Sequence, residues 1–171
     1  MIDVQDVVEI YDPERYISAG DELRLDLPVS ALKLKSGAET VQVWFVPGTG
    51  SFEEVLGYAR TDNASRTDIY NQKVIWKAPG DWKEMGAFGN FCRGRKWLIL
   101  MEDTNGQARM AGDIKQGMVM GYRFNSVDRT HELSFEAMVL HPAYYLQGIS
   151  EPMFLGTTSG FSEGFSFGFR S

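Results

Sequence analysis

The chain has 171 residues and a formal net charge of −6, with 43% hydrophobic and 23% charged residues. That length suits one domain able to bury about two-thirds of its unfolded surface, and the acidic balance argues against tight nucleic-acid binding through a broad basic face. No run of 18 apolar residues offers a transmembrane helix, and the opening residues read without a basic-then-apolar leader. Cys92, the single cysteine, excludes an internal disulfide framework and fits a reducing compartment.

Residues Val7–Tyr11 and Glu22–Leu27 read as short strands, the second with Leu23, Leu25 and Leu27 on one face and Arg24 and Asp26 on the other. Ala19-Gly20-Asp21, Ser36-Gly37-Ala38-Glu39 and Pro47-Gly48-Thr49-Gly50 carry turn chemistry. Between the last two, Val41, Val43 and Phe45 alternate with Gln42 and Trp44 as a strand would. Residues 52–62 fit either a short helix at FEEVLGYA or an irregular strand, and Thr61–Asp68 reads as an exposed polar loop. A strand is expected from Ile69 to about Trp76, ended by Pro79-Gly80.

The stretch Asp81–Ala111 is expected to organise the domain. Asp81 and Glu84 form a capping-box-like pair, and Met85, Phe88 and Cys92, with Phe91 beside them, line one face of a helix over about 81–94. Gly94 suits the position after the helix, and Arg93, Arg95 and Lys96 complement the negative end of its dipole. WLILM then runs apolar without interruption, as a strand buried on both faces does. Asn105-Gly106 signals a hairpin, with QARMA returning. Met118–Phe124 and Glu132–Leu140 complete the strands, joined by a turn at Ser126–Arg129, with Leu133, Phe135, Ala137 and Val139 on one face. Pro142 ends the last strand, and Tyr144-Tyr145-Leu146 is expected to lead the chain off the domain.

A lone helix among strands predicts a mainly β fold: a β-sandwich or open barrel over residues 1–150, flanked by one short helix. Residues 151–171 are expected to form an extended C-terminal arm. Its last part, GTTSGFSEGFSFGFRS, is rich in glycine, serine and phenylalanine and is expected to be disordered in isolation. Phe165, Phe167 and Phe169, spaced by two, could add an edge strand to the chain's own sheet. Alternatively they pack, with Phe161, on a neighbouring subunit.

Most hints of catalytic chemistry fail on context. Gly160–Gly164 and Gly164–Gly168 match the G-x-S-x-G nucleophile elbow, yet no histidine follows and no strand–turn–helix surrounds them. Gly48-Thr49-Gly50 begins like a dinucleotide loop but places Glu53 where the third glycine belongs. His131 and His141, on one strand, would lie about 33 Å apart and could not share a metal ion. Cys92 beside Arg93 and near Arg95 could be an activated thiol, but its apolar helix face favours a buried structural one. Glu102 and Asp103 are adjacent in a strand or hairpin tip, so they do not face each other as an acid and a base. Asn63-Ala64-Ser65 is a glycosylation sequon that needs a secretory route. No catalytic, cofactor-binding or metal-binding residue is therefore assigned, no cofactor is expected, and the chain is expected not to be an enzyme.

The succession WLILMEDTNG, QARMAG and YRFNSVDRTHELSFEAMVLHPAYYL, over about residues 80–146, resembles tail structural proteins of bacteriophages, tail-tube-like proteins of Bacteroidetes-infecting phages among them. That resemblance implies a β-sandwich flanked by one helix and a structural role in stacked rings, often hexameric, assembled in the bacterial cytoplasm into a virion. DNA would pass through the lumen without specific binding, and neighbouring tail proteins would be partners. An acidic lumen would let DNA slide, since no phosphates are neutralised. The subunit contacts expected on this basis are Phe161, Phe165, Phe167 and Phe169, then Arg93, Arg95 and Lys96, then the loop Thr61–Asp68. The competing expectation is a β-sandwich carbohydrate-binding module in which exposed Trp44, Trp76 and Trp82 stack on sugar rings.

Overall fold

The computed structural model describes residues 1–10, 14–17, 23–38, 40, 41, 43, 45, 46, 48–60, 66–80, 85–102 and 106–148. In chain order these form β1 (Ile2–Asp3), a 3-10 turn (Val4–Asp6), β2 (Val7–Ile10), β3 (Glu14–Ile17) and β4 (Leu23–Pro28). A second 3-10 turn (Val29–Ala31), β5 (Leu32–Leu34), β6 (Ser51–Arg60) and β7 (Arg66–Pro79) follow. Then come the helix α1 (Met85–Cys92), β8 (Trp97–Glu102), β9 (Ala108–Ala111), β10 (Val119–Asn125), β11 (Thr130–Val139) and β12 (Tyr144–Gln147).

The architecture is the expected one, a β-sandwich with one short α-helix among the described residues. A six-stranded sheet runs β1-β8-β9-β12-β4-β3, a four-stranded sheet runs β10-β11-β7-β6, and β2 pairs with β5. Neighbouring strands are antiparallel except β12 and β4, which run parallel. The six-stranded sheet is the middle layer because its strands carry apolar residues at consecutive positions. Trp97 and Ile99 face a core shared with Val74, Trp76, Ala78, Leu133 and Phe135 of the four-stranded sheet and with Met85, Phe88 and Cys92 of α1. Leu98, between them, faces a second core with Leu25, Leu27, Met110, Tyr144 and Leu146, covered by Val7, Ile10, Leu32 and Leu34 of the β2–β5 pair. The uninterrupted WLILM run is thus buried on both faces, as its pattern predicts.

The helix expected over about 81–94 is present at Met85–Cys92, with Arg93 and Gly94 in a turn and residues 81–84 outside the described residues. Gly94 takes a positive φ of 73°, as a residue after a helix end does, and the Arg95 N–H donates to the Cys92 carbonyl (3.2 Å). The capping pair at 81 and 84 lies outside the described residues. Residues 52–60 are strand: Phe52, Val55, Leu56 and Ala59 have helical spacing, but ten paired positions with β7 override it. Residues 66–68, expected in a loop, open β7 for the same reason. The expected strand at 41–46 is not formed by its described residues; the Val41 N–H donates to Met1 O and the Val46 N–H to Lys77 O instead. Tyr144–Leu146 does not leave the domain, since β12 sits between β9 and β4 with Tyr144 and Leu146 buried. The expected C-terminal arm, residues 151–171, lies outside the described residues.

Candidate functional site

Three regions hold side chains that packing alone does not account for. The first is the far end of the β6–β7 hairpin. β11 pairs with β7 only up to Val139 opposite Tyr70, whereas β6 and β7 continue pairing to Arg60 opposite Arg66. Beyond Leu56–Tyr70 the four-stranded sheet therefore narrows to a two-stranded ribbon. Register places Val55, Asn71 and Met138 in one row of the sheet's outer face and Gly57 and Ile69 in the next, with Leu140 just past the end of β11. Val55 (59%), Met138 (61%) and Leu140 (63%) are exposed there, and Leu56 (46%) and Tyr58 are exposed from the opposite face. On the other side Val55 borders a charged row, in which Lys73 pairs with Glu136 at 2.8 Å. Hydrogen bonding of Lys73 to Glu136 raises the lysine above its ordinary range.

The second region is a polar knot between the sheets. Gln72 is 1% exposed because it shares the inward parity of Val74 and Trp76. Its Nε2 donates to Glu54 Oε2 (2.8 Å) and, more weakly, to the His141 carbonyl (3.4 Å), and its Oε1 accepts from the Gly112 N–H (2.8 Å). Glu54 Oε2 also accepts from the Ala143 N–H (2.6 Å). Next to it, His141 Nδ1 faces the Pro142 carbonyl (2.8 Å), which can only accept, so Nδ1 carries the proton and Nε2 accepts from the Tyr144 hydroxyl (3.1 Å). Asp113 Oδ1 stands 4.0 Å from that Nε2. The effect of these bonds is to tie the two sheets to the Gly112 and His141–Ala143 connections. Among the described residues no three His, Cys, Asp or Glu side chains converge to hold a metal ion.

The third region is an aromatic shelf at the opposite end of the four-stranded sheet. The His131 ring stacks on Tyr122 and tilts against Phe124, with centroids 5.7 and 5.0 Å away. His131 Nε2 donates to the Gly80 carbonyl (3.3 Å), which leaves Nδ1 to accept from the Tyr122 hydroxyl (2.9 Å). Phe124 also lines a shallow groove of about 660 Å³ with Val46, Pro79, Gly80, Ser126, Arg129 and Thr130. Tyr122 and Phe124 are exposed.

The residues singled out from the sequence fall as follows. Arg93, Arg95 and Lys96 are exposed at the α1–β8 turn. Arg95 is engaged within the chain: its Nη1 lies 3.1 Å from Asp3 Oδ2, and its guanidinium covers the Phe91 ring. Lys96 Nζ donates to the Lys115 carbonyl (3.5 Å). Phe161, Phe165, Phe167 and Phe169, the G-x-S-x-G matches, Asp103 and the sequon lie outside the described residues. Trp76 is buried and stacked on Phe135 (5.0 Å), so it forms no open sugar platform; Trp44 and Trp82 lie outside the described residues. Gly48-Thr49-Gly50 is a turn, with the Thr49 hydroxyl donating to Val46 O (2.6 Å). Cys92 is buried, and burial pushes its thiol up to about 12 against the pull of Arg95. The Glu54–Gln72 knot and the Tyr122–His131 shelf were not anticipated. The signal for the first is a glutamine at the same parity as Val74, Trp76 and Ala78 of β7.

No protein-family model matches the chain, and no curated protein or solved structure is significantly similar to it. Among the described residues no helix is long and apolar enough to cross a membrane.

Proposed function

We propose that the protein is a non-enzymatic structural subunit that assembles with copies of itself, as a ring-forming component of a bacteriophage tail. The observation that carries self-assembly is the far end of the four-stranded sheet, where Val55 of β6 and Met138 of β11 are exposed on the outer face, Leu56 on the opposite face, and Leu140 just past the end of β11. Monomeric proteins seldom leave such side chains contiguous, and a long edge strand beside them is a template for pairing. The tail assignment rests on the resemblance of residues 80–146, and the acidic composition suits a lumen along which DNA slides. Light scattering on the purified full-length chain, with negative-stain images of the same sample, tests this reading. Rings, tubes or a defined large oligomer are expected, and a monomer at all concentrations, alone and with neighbouring tail proteins, overturns it.

A second reading, a carbohydrate-binding module, is favoured by the Tyr122–His131–Phe124 shelf at a shallow groove, since exposed rings stack on sugar faces. Binding in a glycan screen that is lost in Phe124→Ala would support it. No binding to any glycan would remove it.

A further inference from the structure

The edge of β6 has a shape that selects what covers it. β6 is the last strand of its sheet, and among the described residues no strand pairs with its outer side. The other edge, β10, is closed at its start, where Met118 and Trp97 exchange two backbone hydrogen bonds (2.9 and 2.8 Å). On the open edge, Val55 and Gly57 share the outer face, and Gly57 has no side chain to shield the backbone between β6 and β7. A Cβ built there meets only the Asn71 amide (3.3 Å) and the Ile69 carbonyl (3.7 Å) within 4 Å. A glycine on an edge strand is covered best by an aromatic ring reaching across from an added strand.

The sequence supplies such a strand once. Phe165, Phe167 and Phe169 recur at the same two-residue step as Val55 and Gly57, with Ser166 and Gly168 on the opposite parity. We propose that residues 165–169 of a second copy add to the β6 edge as an extra strand, with two of their phenylalanines over Val55 and Gly57, a step that rests on the assembly reading above. The main chain contributes ladder hydrogen bonds, and the rings contribute apolar burial and register. Residues 149–164 connect Gly148 to this segment and reach up to about 55 Å when extended, far enough to cross to a neighbour. A second copy fits better than the same chain because β6 exposes apolar side chains on both faces, Val55 on one and Leu56 and Tyr58 on the other. One added strand covers one face, and the body of the donor subunit covers Leu56 on the other.

The experiment uses the full-length chain with Val55→Cys and Phe167→Cys, and mixes isotopically light and heavy preparations before mild oxidation. Val127→Cys, exposed in the turn at the other end of the sheet, replaces Val55→Cys as the control. Mass spectrometry is expected to find light–heavy disulfides joining position 55 to position 167 and none to position 127. In parallel, replacing Phe165, Phe167 and Phe169 by serine is expected to raise the midpoint concentration for assembly at least about 100-fold, since two of the rings lie over Val55 and Gly57 and each buried phenylalanine contributes about tenfold or more. Disulfides confined to single chains overturn the second copy as the occupant. An unshifted midpoint with no 55–167 disulfide overturns the docking itself while leaving the assembly reading in place. A wild-type chain that never assembles overturns both.

Discussion

The Glu54–Gln72 pair allows a test in which charge, shape and hydrogen bonding separate. In Gln72→Leu the Gly112 N–H loses its only described acceptor and Glu54 loses one of two donors. An orphaned buried N–H costs about 1–3 kcal/mol and a hydrogen bond to a charged group contributes about 1.5–3. After the added apolar burial offsets part of this, about 3 kcal/mol should be lost. Gln72→Glu keeps an acceptor for Gly112 but sets two carboxylates about 2.8 Å apart. They cannot both ionise, so the pair holds a proton well above the ordinary carboxylate range. A group whose folded pKa is raised contributes stability that is fully present below the unfolded value, about 4.3, and lost as pH rises. Each unit of that rise costs about 1.4 kcal/mol at pH 7.5 and little near pH 4.5. The exchange Glu54→Gln with Gln72→Glu lets the new amide donate to the carboxylate, its carbonyl accept from Ala143, and the carboxylate accept from Gly112. It should recover more than half of the loss. Urea unfolding followed by the fluorescence of buried Trp76 and Trp97 reads the wild type and the three variants at both pH values. Equal destabilisation of Gln72→Glu at pH 4.5 and 7.5, or an exchange variant no more stable than it, would refute the reasoning.

Three further outcomes are expected. Gly80→Ala places a Cβ 1.9 Å from the Arg129 carbonyl oxygen, a backbone atom that cannot swing aside; about 3 kcal/mol should be lost, lowering the melting temperature by roughly 6–12 °C, and an unchanged midpoint would contradict it. Cys92, pushed up to about 12 by burial, should resist alkylation at pH 8 until urea unfolds the domain, and its contribution to stability should be intact below about pH 9 and fall away as pH rises toward 12. Rapid labelling of the folded chain would show the thiol to be accessible. Arg95→Ala should cost about 1–3 kcal/mol by stranding the nearly buried Asp3 carboxylate, whereas exposed Arg93→Ala should stay within about 0.5 kcal/mol. Equal effects in chemical denaturation would sink that distinction, and with it the use of Arg93 as the cleaner probe of a subunit contact.

What the sequence disclosed depended on how local its causes were. Alternation along Glu132–Leu140 identified β11 and its buried face because parity alone decides which side of a strand is core. The β8–β9 hairpin was legible from Asn105-Gly106, and Gly106 has the positive φ (76°) that such a turn requires. Residues 52–60 were not legible, since their spacing suits a helix and only pairing with β7, a non-local cause, makes them strand. Tyr144–Leu146 misled for the same reason: after Pro142 nothing in sequence announces a slot waiting between β9 and β4. The knot was half visible in Gln72, but Glu54, Gly112 and Ala143 meet it only after the sheets stack.

That slot gives β12 a consequence for synthesis. Residues 144–147 are the last strand described, yet they lie inside the six-stranded sheet, parallel to residues 25–28. A nascent chain still attached to the ribosome at residue 140 has an unfilled gap, with the edges of β4 and β9 open and Leu25, Leu27 and Met110 lacking Tyr144 and Leu146. Folding must then wait for a contact across more than a hundred residues, which makes closure slow. Deleting everything after Gly148 leaves the gap filled, whereas a stop five residues earlier leaves it open. The boundary between a chain that can complete its six-stranded sheet and one that cannot therefore falls within a single strand.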